Sequence, residues 1–137
     1  MKYAVIILSL LLTACEPQVK TDPPHVVAAN YFDALYNDRS LEQAKALSTE
    51  HNQEMLDHFG TISTVGHYLY NMSFDSVEVR SERPTGIRYL GETDTVRIRV
   101  AFSGYFNGER VDELREVVVV RVEKEWRVDR LIDAPYQ

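Results

Sequence analysis

Residues 95–108 read TVRIRVAFSGYFNG, and this stretch decides the fold class of the chain. Every second residue over 96–102 is apolar, which is the period of a half-buried β-strand. The Asn107-Gly108 pair that follows is the strongest short signal for a β-hairpin, because both residues tolerate positive φ angles. The stretch therefore predicts a strand that turns back into an antiparallel partner.

Further strands are predicted on both sides of this stretch. Val77 and Val79 alternate with charged residues ahead of it, and a valine-rich run follows it at 117–122. A last strand is predicted over 126–132. Connections rich in turn-forming residues separate these strands at 83–86, 91–94 and 123–125. Short connections of this kind predict an antiparallel meander.

The chain ahead of the strands carries the period of an amphipathic helix instead. Apolar residues recur every three or four positions, which predicts a first helix over 25–37. Asp22 is predicted as its N-cap and Pro23 as its first helical residue, where the missing N–H is tolerated. The apolar stripe comprises Ala28, Tyr31, Phe32, Leu35 and Tyr36.

Two shorter helices are predicted to follow the first. Ser40 and Gln43 match the S-x-x-Q capping box that opens a helix. Thr49 is predicted to cap the next helix and Gly60 to end it, because glycine accepts a left-handed conformation. Residues 61–72 show no single period, so we expect a loop with one helical turn there.

Helices first and antiparallel strands after them predict an α+β fold in which the helices pack on one face of the sheet. The chain of 137 residues suits one such domain, which we assign to residues 25–137. The formal net charge of −6 argues against nucleic-acid binding, because phosphate contacts need a basic surface. The single cysteine, Cys15, excludes an internal disulfide.

The N-terminal segment predicts the compartment. Lys2 precedes an apolar run over 4–12 that is too short to span a bilayer and matches a signal-peptide h-region. Residues 12–15 read LTAC, which resembles the bacterial lipobox. The resemblance implies a lipoprotein signal peptide over 1–14, lipidation of Cys15 and a tether over 15–24. The alternative is an ordinary secretory signal with an incidental cysteine.

A lipobox implies that the membrane is a partner of the protein through a lipid anchor. Two or three acyl chains, such as palmitate, give lasting attachment, whereas one chain gives only reversible binding. Residue 16 is Glu and not the Asp that retains many enteric lipoproteins in the inner membrane. The resemblance therefore implies an outer-membrane anchor, with the domain in the periplasm.

The order of the predicted elements resembles the nuclear transport factor 2-like superfamily, a cone in which a curved antiparallel sheet wraps a long first helix. The matching residues are the Tyr31-Phe32 pair, GETDTV at 91–96 entering a long strand, and WRVD at 126–129 closing the sheet. Within the superfamily, the chain is similar to small bacterial lipoproteins that carry a domain of unknown function. Relatives use the pocket between helix and sheet as an isomerase, a dehydratase or a binding site, and often dimerise through the sheet.

We expect no assembled catalytic site, because no motif of the enzymatic relatives is present. The weaker candidates are Asp75 and Tyr31. Asp75 shares the parity of Val77 and Val79, so it would face the pocket, where an acid beside a buried tyrosine hydroxyl could act as a general base. The alternative is an Asp that lies in solvent or caps a turn.

We likewise expect no metal site and no cofactor. The weaker candidates for metal ligands are His51, Glu54 and His58, which recur at i, i+3 and i+7 on one side of the third predicted helix. His67 in the following segment could complete such a site. The alternative is a solvated helix face, because helical spacing produces such triplets by chance.

The valine-rich strand also predicts a partner surface. Val117 and Val119 lie on the face opposite the other valines of their strand, and we expect Arg97 and Arg99 to share this outer face. An exposed apolar patch rimmed by arginine is typical of a site for a protein partner. The alternatives are that the strand is central and covered on both sides, or that the two valines are tolerated on a surface.

These observations favour a non-catalytic, lipid-anchored binding or assembly module of the cell envelope. The alternative is an isomerase- or dehydratase-like enzyme that uses the cone pocket. The partner of a binding module would be an envelope protein, a second copy of the chain or a small molecule. Its many tyrosines either fill the core or line a pocket for an apolar or sugar-like ligand.

Overall fold

Helices precede strands in the part of the chain that the computed structural model describes, residues 21–84 and 93–134. Among these described residues the sheet is four-stranded, with the order β1-β2-β3-β4 and antiparallel pairing between its strands, so the predicted α+β meander is confirmed. The elements are α1 Pro24–Tyr36, α2 Leu41–Ala46, α3 Glu50–Phe59, α4 Ile62–Thr64, a π-helical turn Val65–Leu69, β1 Ser76–Ser81, β2 Thr95–Phe106, β3 Glu109–Val122 and β4 Glu125–Leu131.

Tight turns join the last three strands. Asn107 and Gly108 have φ angles of 51° and 80°, which confirms the hairpin predicted between β2 and β3. Glu123 and Lys124, with φ angles of 49° and 73°, make the turn between β3 and β4. Both pairs have the positive φ values that match the right-handed twist of the flanking strands.

The register of the sheet determines which residues face the helices. Phe102 of β2 pairs with Val79 of β1 and Glu113 of β3, so these three side chains lie on one face. Gly104 lies two residues further along β2, where a Cβ atom would stand 2.1 Å from the carbonyl oxygen of Ser76. The close approach of β1 to β2 therefore requires glycine at position 104.

Helix α1 covers the inner face of the sheet and touches all four strands. Its residues Tyr31, Phe32 and Leu35 are fully buried against this face. At the other strand edge, the amide of Thr49 donates to the carbonyl of Val128 (3.0 Å), and the amide of Val128 donates to Leu47 (2.8 Å). The segment before α3 thus forms one parallel bridge to the edge of β4 and protects that part of the edge.

Most predicted helix ends are confirmed, and one is wrong. The Ser40 hydroxyl accepts from the amide of Gln43, and the Thr49 hydroxyl accepts from the third residue after it. Gly60 ends α3 with a φ of 76°. The N-cap of α1 is Pro23 and not Asp22, because Pro24 is the residue that occupies the first helical position.

Two segments differ from the sequence-based expectation. Residues 61–72, predicted as a loop with one helical turn, form α4 and the π-helical turn. Strand β3 begins at Glu109 and not at Val117. Its first half is charged and partly exposed, so it lacks the apolar pattern from which a strand is predicted. Pairing with β2, not hydrophobic pattern, extends the strand to the hairpin.

The predicted signal peptide, Cys15 and most of the tether lie outside the described residues, as do residues 85–86 and 91–92 of the two predicted turns. Within residues 21–84 and 93–134, no helix has the length and apolar character needed to cross a membrane.

Candidate functional site

Aromatic side chains fill the space between α1 and the sheet, where the resemblance implied a pocket. Phe32 is at the centre, with its ring centroid 4.9 Å from that of Phe102, 5.0 Å from Tyr31 and 5.9 Å from Tyr70. These four residues are almost completely buried. Edge-to-face pairs of this kind stabilise a core by about 0.5–1.5 kcal/mol each beyond the area that they bury.

The buried hydroxyls of Tyr31 and Tyr70 form a hydrogen bond with each other. The hydroxyl oxygens of Tyr31 and Tyr70 are 2.5 Å apart, and the side-chain amide of Asn52 donates to Tyr31 (3.1 Å). The same amide donates to the hydroxyl of Ser48 (3.0 Å), which in turn donates to the carbonyl oxygen of Ala44 (2.7 Å). A buried polar chain with every member paired makes one arrangement of the core favourable.

Burial also keeps these tyrosines neutral. Loss of solvation raises the pKa of Tyr31 to about 12, although hydrogen bonds from Tyr70 and Asn52 oppose the shift. Loss of solvation raises the pKa of Tyr70 well above its ordinary value, and the neighbouring Tyr31 adds to the effect. A phenol whose pKa is raised in this way is a poor candidate for a general base at neutral pH.

Asp75 and Tyr31 are not brought together, so the predicted acid–tyrosine pair is wrong. Asp75 is exposed, and its Oδ2 atom accepts from the amide of Asn107 in the β2–β3 hairpin (2.8 Å). Strand β1 begins one residue later, at Ser76. Asp75 therefore lies outside the strand, and its side chain does not follow the alternation of Val77 and Val79. The alternative, an Asp that caps a turn, is the arrangement in the structure.

The predicted metal ligands do not converge either. His51, Glu54 and His58 are all exposed on α3, and a helix rises about 10 Å over the seven residues from His51 to His58. In the described part of the chain, no group of three His, Cys, Asp or Glu side chains could hold a metal ion. His58 instead lines an apolar groove of about 460 Å³ with Met55, Phe59 and Tyr68.

The prediction that Val117 and Val119 belong to an exposed partner surface is wrong. Val117 and Val119 are fully buried and face α1, because they pair with the inward residues Ile98 and Val96 of β2. Arg97 and Arg99 pair with Val118 and Glu116 and therefore lie on the opposite, outer face. The two predicted halves of the patch are on different sides of the sheet.

The outer face has its own apolar residues. Leu114 is 59% exposed and Val122 is 44% exposed, and both lie on this side of β3. Val118, between them, is only 5% exposed although no described helix covers this face. Its neighbours in the register are Arg97 on β2 and Arg130 on β4, and the aliphatic stems of such long side chains can cover apolar surface.

A cavity with both polar and apolar walls lies at the end of the molecule that carries the β2–β3 hairpin. This hairpin pocket has a volume of about 240 Å³. Its wall includes Tyr36 and Arg39 from the end of α1, His67 from the π-helical turn, Asp75 ahead of β1 and Phe106 at the end of β2. Four separate parts of the chain thus contribute functional groups to one opening.

The π-helical turn shapes one wall of the hairpin pocket. Its widened backbone places Gly66 where a Cβ atom would stand 3.0 Å from the carbonyl oxygen of Met72 and 3.5 Å from the Tyr36 ring. The hydroxyl of Tyr36 donates to the same carbonyl (2.7 Å). Single π-helical turns of this kind are frequent at functional sites.

The sequence did not predict Asn52 as a member of the buried tyrosine network or Arg39 as a member of the hairpin pocket. Asn52 has helical spacing on α3 but no signal that its amide reaches Tyr31 from another helix. Arg39 was overlooked because it follows a helix and belongs to no motif. A positive φ of 51° at an arginine is visible only in the structure.

The known proteins add no assignment to this geometry. Comparison with protein-family models, with curated proteins and with solved structures gives no match to the chain.

Proposed function

We propose that the protein is a lipid-anchored component of the bacterial cell envelope whose domain acts by binding and not by catalysis. The observation that supports binding over catalysis is the filled interior, where Tyr31 and Tyr70 hydrogen-bond to each other and Phe32 occupies the centre. An isomerase or dehydratase would need an open pocket with an acid or base inside it. Asp75, the acid considered for that role, lies outside this filled interior, exposed beside the β2–β3 hairpin.

The sequence supports the anchor. The apolar run over 4–12 ends at LTAC, and the only cysteine of the chain is the last residue of that motif. Each buried CH₂ group of an acyl chain contributes about 0.8 kcal/mol to membrane binding, so two or three chains hold the protein firmly. Residues 16–20 would then link the bilayer to Thr21, across at most about 20 Å of extended chain.

We also assign the domain to the nuclear transport factor 2-like cone. The support is the order of helices and antiparallel strands and the packing of the first helix across the inner face of the sheet. In this arrangement the outer face, with Leu114 and Val122 exposed, is the surface that a second copy or an envelope protein would contact.

The anchor is tested by the mass and location of the mature protein. Wild-type protein purified from membranes of its native host should begin at Cys15 and carry a diacylglyceryl group and an N-terminal acyl chain. The Cys15→Ala variant should be unprocessed or soluble and lack this added mass, whereas Gln18→Ala, three residues away, should behave as wild type. Fractionation of membranes and mass spectrometry of the intact chain give both readouts.

A further variant tests which of the two membranes, outer or inner, holds the anchor. Glu16→Asp should move the protein from the outer to the inner membrane, because an Asp at this position retains many enteric lipoproteins there. An unmodified Cys15 thiol in the wild-type protein, or unchanged membrane association of Cys15→Ala, would contradict the anchor.

A further inference from the structure

The hairpin pocket holds two opposite charges that do not neutralise each other. Arg39 and Asp75 both line the cavity, yet within the described residues no ion pair joins them. One Nη atom of Arg39 donates to the carbonyl oxygen of Phe74 (3.3 Å). Asp75 uses Oδ2 to accept from the amide of Asn107 and has a second carboxylate oxygen for another donor.

The backbone is fixed at both of these charged residues, whose side chains are exposed at the pocket. Arg39 adopts a φ of 51°, a conformation that is unfavourable for a non-glycine residue and persists only where the surroundings impose it. The amide of Asp75 donates to the carbonyl of Tyr105 (2.7 Å), which fixes the residue beside the hairpin. A backbone that is already ordered loses little entropy when a ligand binds.

The rest of the wall is suited to a small ligand. Phe106 is 38% exposed at the rim and Tyr36 forms an aromatic side, while Ser63 and Ser73 supply hydroxyl groups. The volume of about 240 Å³ is below the range of roughly 300–1,000 Å³ that holds drug-sized molecules. The cavity therefore fits a metabolite of few atoms with one apolar part.

The location of the pocket agrees with a role in an anchored protein. Tyr36 is the last residue of α1 and Arg39 follows three residues later, whereas the tether joins the N-terminal end at Pro24. A helix of 13 residues separates these ends by about 20 Å. The pocket thus lies near the end of α1 opposite the tether.

We propose that the hairpin pocket binds a small zwitterion that carries both a carboxylate and an ammonium group, of which a free α-amino acid with an apolar side chain is the simplest. Arg39 would take the carboxylate, because a guanidinium can donate two parallel hydrogen bonds to it. Asp75 would take the ammonium group, and Phe106 would contact the side chain. This proposal rests on the binding role proposed above but not on the lipid anchor.

Three probes of one shape separate the two charge contacts. L-Leucine has both groups, 4-methylpentanoate lacks the ammonium group, and 3-methylbutylamine lacks the carboxylate. Isothermal titration of the full chain, purified in mild detergent, should show leucine binding at least tenfold more tightly than either truncated probe. Failure of leucine to bind at millimolar concentration, or equal binding of all three probes, would overturn the proposal.

Two variants identify the residue behind each contact. Arg39→Gln should weaken leucine and 4-methylpentanoate at least tenfold and leave 3-methylbutylamine unchanged. Asp75→Asn should weaken leucine and 3-methylbutylamine and leave 4-methylpentanoate unchanged, and its side-chain oxygen can still accept from Asn107. Arg80→Gln, an exposed arginine of the outer face, should bind all three probes as wild type.

The outcomes separate this proposal from the one on which it rests. A lipidated Cys15 together with no leucine binding would overturn the zwitterion site and leave the anchor. Leucine binding by a chain whose Cys15 is unmodified would support the pocket and contradict the anchor. Equal losses for all probes in both variants would also overturn the assignment, since the charges would then act only through the fold.

Discussion

The two faces of strand β3 differ in what covers them, although the same residue types occupy both. Val117 and Val119 on the inner face are completely buried beneath α1. On the outer face Leu114 and Val122 are 59% and 44% exposed, and only Val118 is shielded. Alternation along a strand therefore separates two faces but does not say which of them receives a helix.

The two faces of the sheet also differ in the side chains that pack against them. The inner face meets an aromatic stripe on α1, and the rings of Phe32, Tyr36 and Phe102 pack with centroid distances of 4.9–6.5 Å. The outer face meets arginines on the neighbouring strands instead, such as Arg97 and Arg130. We expect substitutions on the inner face to change the free energy of unfolding far more than those outside.

The largest expected effect is that of Phe102→Ala. This residue contacts rings from α1 and from the segment ahead of β1, so its loss should lower the free energy of unfolding by about 3–5 kcal/mol. Leu114→Ala, on the outer face of the paired strand, should change it by less than about 0.5 kcal/mol. Urea unfolding followed by circular dichroism measures both, and similar losses would show that the two faces are not distinct.

A smaller effect is expected from the buried tyrosine pair. Tyr70→Phe should lower the free energy of unfolding by about 1 kcal/mol at neutral pH, since one buried hydrogen bond is lost and Tyr31 keeps its bond from Asn52. Tyr105→Phe, with an exposed ring on the outer face, is the matched control.

The same pair predicts a dependence on pH. Because burial raises the pKa of Tyr31 to about 12 while an unfolded tyrosine titrates near 10, the stabilisation is complete below pH 10. It is lost as the pH rises from about 10 to about 12, at about 1.4 kcal/mol per pH unit for each such tyrosine. Tyr70→Phe should make this decline shallower, whereas Tyr105→Phe should not, and an identical decline in both would contradict the assignment.

The smallest effect tests what shields Val118. Arg97→Ala removes a long exposed side chain next to Val118, and we expect the free energy of unfolding to fall by less than about 0.5 kcal/mol. Thermal unfolding at low and high salt separates a charge contribution from the loss of apolar contact, because only the former is screened. A loss above about 2 kcal/mol would mean that the outer face carries a second core.

Local signals in the sequence determined much of the secondary structure. Alternation over 96–102 and the Asn107-Gly108 pair predict β2 and its hairpin, since a strand and a two-residue turn depend on neighbouring residues alone. Ser40, Thr49 and Gly60 likewise act on backbone groups within a few residues of themselves. The resemblance of LTAC at 12–15 to a lipobox is equally local, and both the lipobox and its lipidation stay predictions.

Only the tertiary structure decided which groups meet. Val117 and Val119 are buried because α1 covers that side of the sheet, and the pairing of Tyr31 with Tyr70 joins residues 39 positions apart. Asp75 lies with Arg39 in one pocket because the end of α1 comes to rest beside the hairpin. Such contacts depend on how whole elements pack, and no pattern within a short stretch of chain contains that information.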